Sequence, residues 1–353
     1  MKNKGRFLAG MIIGLVLGGA LIWFNSNTVS HQNKRLKVQL KNLHKQIALQ
    51  DAVIDSMRLQ HLDGLLHKVI EQIETELKES SQGVISDESV SKISTLCYAF
   101  QPYTLREGDS VSAVRLSPER GVLLLFLAGL KLNPVSFQKI TSQISFSGAD
   151  LRDANLSNAW LNGIDLRDAN LSNANLQGAQ LKDAQLKGAN FWGAHLEKAV
   201  LTRADLTRAD MRWSNANEAD FSRSNLTEAD LSAAQLRKVN MHSAILRWVD
   251  FSGAFLNEAT LDSTDMFRAL LKKTHLERAD LHDANLTLAN LTDANLAETN
   301  LTATNLSEVI ISGADWIAQV KKWKVIDASA IDSRYSVVTA NTTGEPFFQL
   351  KRK

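Results

Sequence analysis

Aspartates stand at Asp205, Asp210, Asp220 and Asp230, histidines at His195, His242, His275 and His282, and a single thiol at Cys97. Carboxylates and imidazoles brought together could exchange protons or hold a metal ion, and a thiolate could attack an electrophile. The aspartates, however, are separated by multiples of five residues. Their density is periodic, not convergent, which points to a structural repeat. No Gly-rich phosphate loop and no HExxH, CxxC or GxSxG pattern occurs. Cys97 has no second cysteine to pair with and sits in an apolar helical pattern, where cysteine serves as a small core residue. Asn-x-Ser/Thr triplets fall out of the same repeat and do not argue for glycosylation. The expectation is a protein with no enzymatic activity, cofactor or metal.

The chain has 353 residues and a formal charge of +2. That length suggests two or three units. The near-neutral balance gives no field that would attract nucleic acid or imitate it, so no nucleic-acid partner is expected.

Residues 7–24, FLAGMIIGLVLGGALIWF, are apolar and uncharged. As a helix they would span roughly 27 Å, enough for a bilayer core. Lys2, Lys4 and Arg6 precede them and Trp23 stands at the far end. The rival reading is a cleaved signal peptide, but no convincing small-x-small site follows. The closer basic cluster favours a cytoplasmic N-terminus, with the remainder on the other side of a bacterial inner membrane. Gly10, Gly14 and Gly18 share one face, a spacing that lets two membrane helices approach.

Residues 31–80 are charged and free of proline. Leu36, Leu40, Leu43, Ile47, Ile54 and Met57 form one stripe, and Leu62, Leu66, Val69, Ile73 and Leu77 resume it after a phase break near His61–Gly64. This resembles a coiled-coil seam, and a homodimer through anchor and stalk is expected. The alternative is an amphipathic helix packed on its own protein. Ser86 then starts a helix that Pro102 ends, and Ser117-Pro118-Glu119 starts another. Asn133-Pro134 opens a third.

From Phe146 to Ile311 a large apolar residue returns every fifth position, 34 times, with Ala216 the one departure. Calling that residue i, position i−2 is Ala in 23 of the 34 repeats and i−1 is mostly Asp or Asn. A helix would scatter this period around its faces, and a straight strand would alternate it. A coil that turns one corner per repeat buries both i and i−2. The Asp or Asn at the corner can bond turn backbone. Successive coils would stack at about 4.8 Å.

The pattern A-(D/N)-L-x-x, as in ANLSNANLQGAQL and ADLHDANLTLANLTDANL, resembles the pentapeptide-repeat proteins. The resemblance implies a right-handed quadrilateral β-helix with four repeats per coil, about 8.5 coils over residues 144–315. Ala216 should leave a void or deform its coil. Some members of the family mimic DNA and bind gyrase, with strongly acidic surfaces. The near-neutral charge and apparent anchor depart from that type.

On this reading the fold class is mainly β. An anchor (1–30), a helical stalk (31–80) and a small helical unit with the N-terminal cap (84–143) precede the solenoid (144–315). A C-terminal cap helix and tail (316–353) follow it. Open solenoid ends need covers, and Leu123, Leu124, Trp316 and Ile317 are the candidate capping residues. RYSVV and PFFQL, on either side of TANTTGE, look like a hairpin.

A coil of twenty residues also converts sequence into surface columns. His195 and His275 share a column four coils apart, roughly 19 Å, too far for a common metal. Trp248 and Arg268 are one coil apart, with Leu288 next and Arg247 and Phe267 beside them, and Ile245 replaces the corner residue. On another face Trp192 underlies Arg212, with Trp213 alongside. Exposed Trp and Arg are enriched at binding hot spots and can make cation–π contacts. The sequence therefore suggests a membrane-anchored, non-enzymatic scaffold whose solenoid binds a protein partner.

Overall fold

The computed structural model describes residues 56–353 apart from 81, 101, 108, 109, 131 and 341–346. The apolar stretch 7–24, its Gly10, Gly14 and Gly18, and the seam residues before Ser56 lie outside the described residues. Among the described residues no helix is long and apolar enough to cross a membrane. The chain forms two compact units. One holds the residues up to Arg152 together with Ile164–Asn170, and the other holds Asp153–Gly163 and Leu171–Lys353.

In the first unit helix α1 (Ser56–Glu79) runs unbroken through His61–Gly64, where the sequence suggests a phase break. Its last turns do not form a free stalk. Val69, Ile70 and Ile73 are buried, and the Glu76 carboxylate grips the start of α2 (Asp87–Ala99). Glu76 accepts hydrogen bonds from Ser86 N at 2.8 Å, Ser86 Oγ at 2.7 Å and Ser89 Oγ at 2.9 Å. Burial works to raise the Glu76 pKa, but these bonds outweigh it and the net shift is downward. This part of the segment thus follows the alternative of a helix packed on its own protein.

A hairpin of β1 (Tyr103–Glu107) and β2 (Ser110–Leu116) comes next, so residues 84–143 are not wholly helical. The alternating run SVSAV suits a strand. Helix α3 (Pro118–Gly129) is capped by Ser117, whose side chain accepts from Arg120 N, and α4 (Pro134–Gln143) by Asn133, which accepts from Ser136 N. Ser117 pairs in parallel with Ala149, so the start of α3 continues the coil ladder. A Cβ at Gly121 would collide with the Asp150 carbonyl, which is why the helix can approach the coil here. Buried Arg120 donates to Ser147 O at 2.6 Å and to Cys97 O at 3.3 Å. Leu123 and Leu124 are buried in this unit.

In the second unit most corner residues bridge in parallel to the one twenty positions on, as in Asn155↔Asn175 and Asp205↔Asn225. Four repeats therefore make one coil. The backbone of one repeat, Ala174–Gly178, shows why five residues suffice. Ala174 N closes a turn on Leu171 O, Asn175 N reaches back to Ala154 O, and Leu176 N and Gly178 N reach forward to His195 O and Glu197 O. The fifth donor, Gln177 N, has no backbone acceptor and bonds Asn175 Oδ1 at 3.1 Å. The Asp/Asn preference at i−1 thus satisfies the one N–H that the ladder leaves over. Position i+2 takes positive φ, as at Arg203 (60°), Trp213 (60°) and Trp248 (55°), as in type II turns. For a residue other than Gly this costs about 1 kcal/mol.

The i and i−2 side chains fill the axis, and Ala216 is fully buried among them. Its coil is not deformed: Ala216 N bonds Gln235 O at 2.8 Å and Glu218 N bonds Arg237 O at 2.9 Å, as in regular repeats.

At the C-terminal end, Ile326 continues the ladder by pairing with Asn300. The short strand β3 (Ile310–Ile311) precedes helices α5 (Trp316–Lys322) and α6 (Ala328–Arg334). Strands β4 (Tyr335–Ala340) and β5 (Phe347–Arg352) pair antiparallel, and β5 also pairs with β3. The exposed edge after the last repeat is therefore covered by the C-terminal strand. Trp316 and Val320 are buried, whereas Ile317 is half-buried.

Candidate protein-binding surface

The residues that could do chemistry are occupied by the fold. The corner aspartates accept hydrogen bonds from their own turns, as Asp205 does from Thr207 N at 3.1 Å and Asp220 from Ser222 N at 2.9 Å. Burial pushes the Cys97 thiol up to about 12, so it stays protonated, and its Sγ donates to Ser145 O at 3.1 Å. His242 and His282 are two coils apart, with Asp262 between them. His242 Nδ1 lies 2.5 Å from Asp262 Oδ2, and His282 Nε2 lies 3.9 Å from the same oxygen. The Asp280 carboxylate, hydrogen-bonded to His282 Nδ1 at 3.0 Å, holds the His282 pKa above its ordinary value. Among the described residues no group of His, Cys, Asp and Glu is arranged to hold a metal ion.

Apart from Trp160, the exposed tryptophans of the second unit fall into two groups. Trp248 and Phe267 meet edge to face at 5.8 Å. The Arg247 guanidinium lies 5.0 Å from each ring, and Arg268 lies 5.4 Å from Phe267. Arg268 thus stacks on Phe267, not on Trp248, the neighbour that column spacing suggests. Ile245, Trp248 and Leu270 are 43%, 41% and 38% exposed, and Leu288 is half-buried in the next coil. Arg247 Nε is buried with no hydrogen-bond partner.

The second group is looser. Trp192 and Trp213 are exposed, but Arg212 does not stack on Trp192. It forks the Asp210 carboxylate at 2.9 and 2.7 Å. A charge-assisted bidentate bond outcompetes a ring face for a guanidinium. A third grouping, not anticipated, stacks Arg237 over Phe255 at 5.4 Å and Phe255 on His275 at 4.7 Å. The signal for it is the loss of Asp or Asn at the corner, at Phe255 and His275. The same signal marks Leu270.

Comparison with known proteins agrees with this architecture. The family model described as pentapeptide repeats matches in 8 copies, over residues 149–184, 179–215, 204–242, 244–283 and 284–315. Comparison with curated proteins gives no significant match. Among solved structures the chain is similar to HetL, a pentapeptide repeat protein involved in heterocyst differentiation regulation in the cyanobacterium Nostoc sp. strain PCC 7120. Identity is 31%, covering 49% of this chain and 84% of that one, with a TM-score of 0.41. QnrB1, a plasmid-mediated fluoroquinolone resistance protein, is 19% identical over 51% of this chain and 90% of its own, with a TM-score of 0.38. A pentapeptide repeat protein of the Arabidopsis thaliana thylakoid lumen is 25% identical over 37% of this chain and 79% of its own, with a TM-score of 0.23. From the repeated A-(D/N)-L-x-x pattern and the family model that matches it, the chain belongs to the pentapeptide-repeat family.

Proposed function

We propose that this protein is a non-enzymatic scaffold, anchored to a membrane through residues 7–24, whose solenoid binds a protein partner. The observation that carries the reading is the cluster of Trp248, Phe267, Arg247 and Arg268. These are exposed or half-exposed aromatic and Arg side chains, ordered by ring contacts on a hydrogen-bonded ladder. Rings and guanidinium groups already held in place lose little entropy on binding, which is what a hot spot needs. The corner carboxylates and the thiol are engaged in internal hydrogen bonds, so no catalytic role is assigned.

The apolar run at 7–24, flanked by basic residues and Trp23, supports the anchor. The glycine face supports a dimer through it. A bacterial inner membrane, with the solenoid outside the cytoplasm, is the location this reading takes.

The test is a photo-crosslinking residue at position 288, read together with membrane fractionation and protease access to the C-terminus in intact cells. A discrete cross-linked species in the membrane fraction, lost on Trp248→Ala, is the expected result. A protein found wholly in the soluble fraction would remove the anchor. A gyrase-binding role is the alternative reading, and patch-independent inhibition of gyrase supercoiling by the purified chain would favour it. The internal ion pairs Arg203–Asp183, Arg208–Glu228 and Arg278–Glu298 speak against a uniformly acidic, DNA-like face.

A further inference from the structure

Two features of the Trp248 surface point the same way. The first is its open donors. At most corners the Asp or Asn at i−1 accepts the N–H two residues on, as Asp250 does from Ser252 at 2.8 Å and Asn290 from Thr292 at 3.0 Å. At this surface Ile245 and Leu270 stand where that acceptor belongs. The backbone N–H groups of Arg247 and Lys272 accordingly find no acceptor among the described residues. Arg247 Nε is likewise without one.

The second is a group of cations without ion-pair partners. Arg247, Arg268, Lys272 and Lys273 lie on neighbouring columns of this surface. Arg247 approaches Asp265 at 3.7 Å. Arg268, Lys272 and Lys273 make no ion pair with the described residues. The nearby carboxylates turn to neutral donors instead: Asp250 accepts the Ser252 N–H, and Asp265 the Phe267 N–H and the Asn285 side chain. Asp293 stands one coil beyond Lys273 without pairing to it. In another column of the solenoid, cations one coil from a carboxylate do pair, as in Lys198–Glu218, Lys238–Glu258 and Arg278–Glu298.

We propose that the surface of Ile245, Trp248, Phe267, Leu270 and Leu288 binds a segment of a partner protein that carries carboxylates beside apolar side chains. This rests on reading the solenoid as a protein-binding scaffold. The partner's carboxylates accept from the N–H groups of Arg247 and Lys272, the role an Asp or Asn plays at other corners, and they pair with Arg268 and Lys272. Its apolar side chains cover Trp248 and Leu270. The open backbone donors favour a peptide over a lipid surface, because they need an acceptor placed within hydrogen-bond distance beside an apolar residue.

The test is selection of phage-displayed random dodecapeptides on the full-length protein in detergent micelles. Counter-selection uses Ile245→Asn/Leu270→Asn and Arg268→Glu/Lys272→Glu. The Asn substitutions restore the residue the fold itself prefers, so loss of binding would not reflect misfolding. The expected result is enrichment of peptides rich in Asp and Glu with Trp, Phe or Leu, binding about tenfold or more weaker to either double variant. Patch-dependent peptides without acidic residues would overturn the proposal and leave the scaffold reading standing. If no peptide depends on the patch, both fall. Sedimentation with phosphatidylcholine vesicles, with and without phosphatidylglycerol, is run in parallel. Variant-sensitive binding that requires phosphatidylglycerol, without patch-dependent peptides, would assign the surface to a bilayer instead and overturn the proposal.

Discussion

Two stretches of the solenoid, 205–232 and 245–275, share one backbone and differ at the corners. In the first, every corner residue from Asp205 to Asp230 is Asp or Asn. Each accepts the N–H two positions on, from Thr207, Arg212, Asn217, Ser222, Thr227 and Ser232. Two of its arginines pair within the stretch, Arg212 with Asp210 and Arg208 with Glu228. In the second, Ile245, Phe255, Thr260, Leu270 and His275 take corner positions, and ring contacts replace many of the side-chain hydrogen bonds. The ladder does not register the change: Leu226 N meets Ile245 O at 2.8 Å and Leu246 N meets Asp265 O at 2.8 Å. The corner side chain is therefore separable from the fold. Giving it up forfeits one local hydrogen bond, worth about 1 kcal/mol, and frees a surface position.

That separation can be broken most forcefully from the core. Phe221 and Phe251 are both fully buried. Phe221→Ala and Phe251→Ala should each lose about 3–5 kcal/mol in chemical denaturation, and by similar amounts. A large inequality would show that the two stretches differ inside as well as outside.

At the corners the effects should be smaller and opposite in sign. Asp220→Ala removes the acceptor for Ser222 N and should cost about 1–2 kcal/mol. Leu270→Asn supplies the missing acceptor and should stabilise by up to about 1 kcal/mol while weakening partner binding. Destabilisation by Leu270→Asn would mean that burial of the leucine outweighs the hydrogen bond.

The half-exposed His282 adds a pH dependence. Its hydrogen bond with Asp280 raises the His282 pKa in the folded state. Its stabilising contribution is thus fully present below the unfolded value, about 6.5, and is lost as pH rises through the folded value. Unfolding midpoints should fall between about pH 6 and pH 8, and His282→Asn should flatten that slope. An unchanged slope would assign the dependence to other groups.

The smallest effect is expected at the exposed pair Arg208–Glu228. Arg208→Ala should lower stability only slightly, and high salt should erase the difference.

Much of this architecture was legible because every repeat sees the same surroundings. The leucine at i, the alanine at i−2 and the Asp or Asn at i−1 are local requirements repeated many times over, so they accumulate into an unmistakable pattern. The helix starts at Ser86, Ser117 and Asn133 were legible for a similar reason, since capping is settled within one turn. The hairpin at 103–116 is not legible in this way, because two short strands offer too few periods to stand out. The ring partners do not follow from column spacing, which names neighbours, whereas competing carboxylates decide where an Arg side chain goes. Asp210 claimed Arg212, and Arg247 reached both rings of the cluster from within Trp248's own repeat.

By itself, then, the sequence determined the coil: its length, its filling and its corner chemistry, because each depends on residues within one repeat. Only the tertiary structure decided which partners the Arg side chains and rings take across coils, and how the last coil is closed. Those outcomes depend on atoms brought together from different coils. The pairing of Phe347–Arg352 with Ile310–Ile311 shows this, since nothing local in either strand names the other.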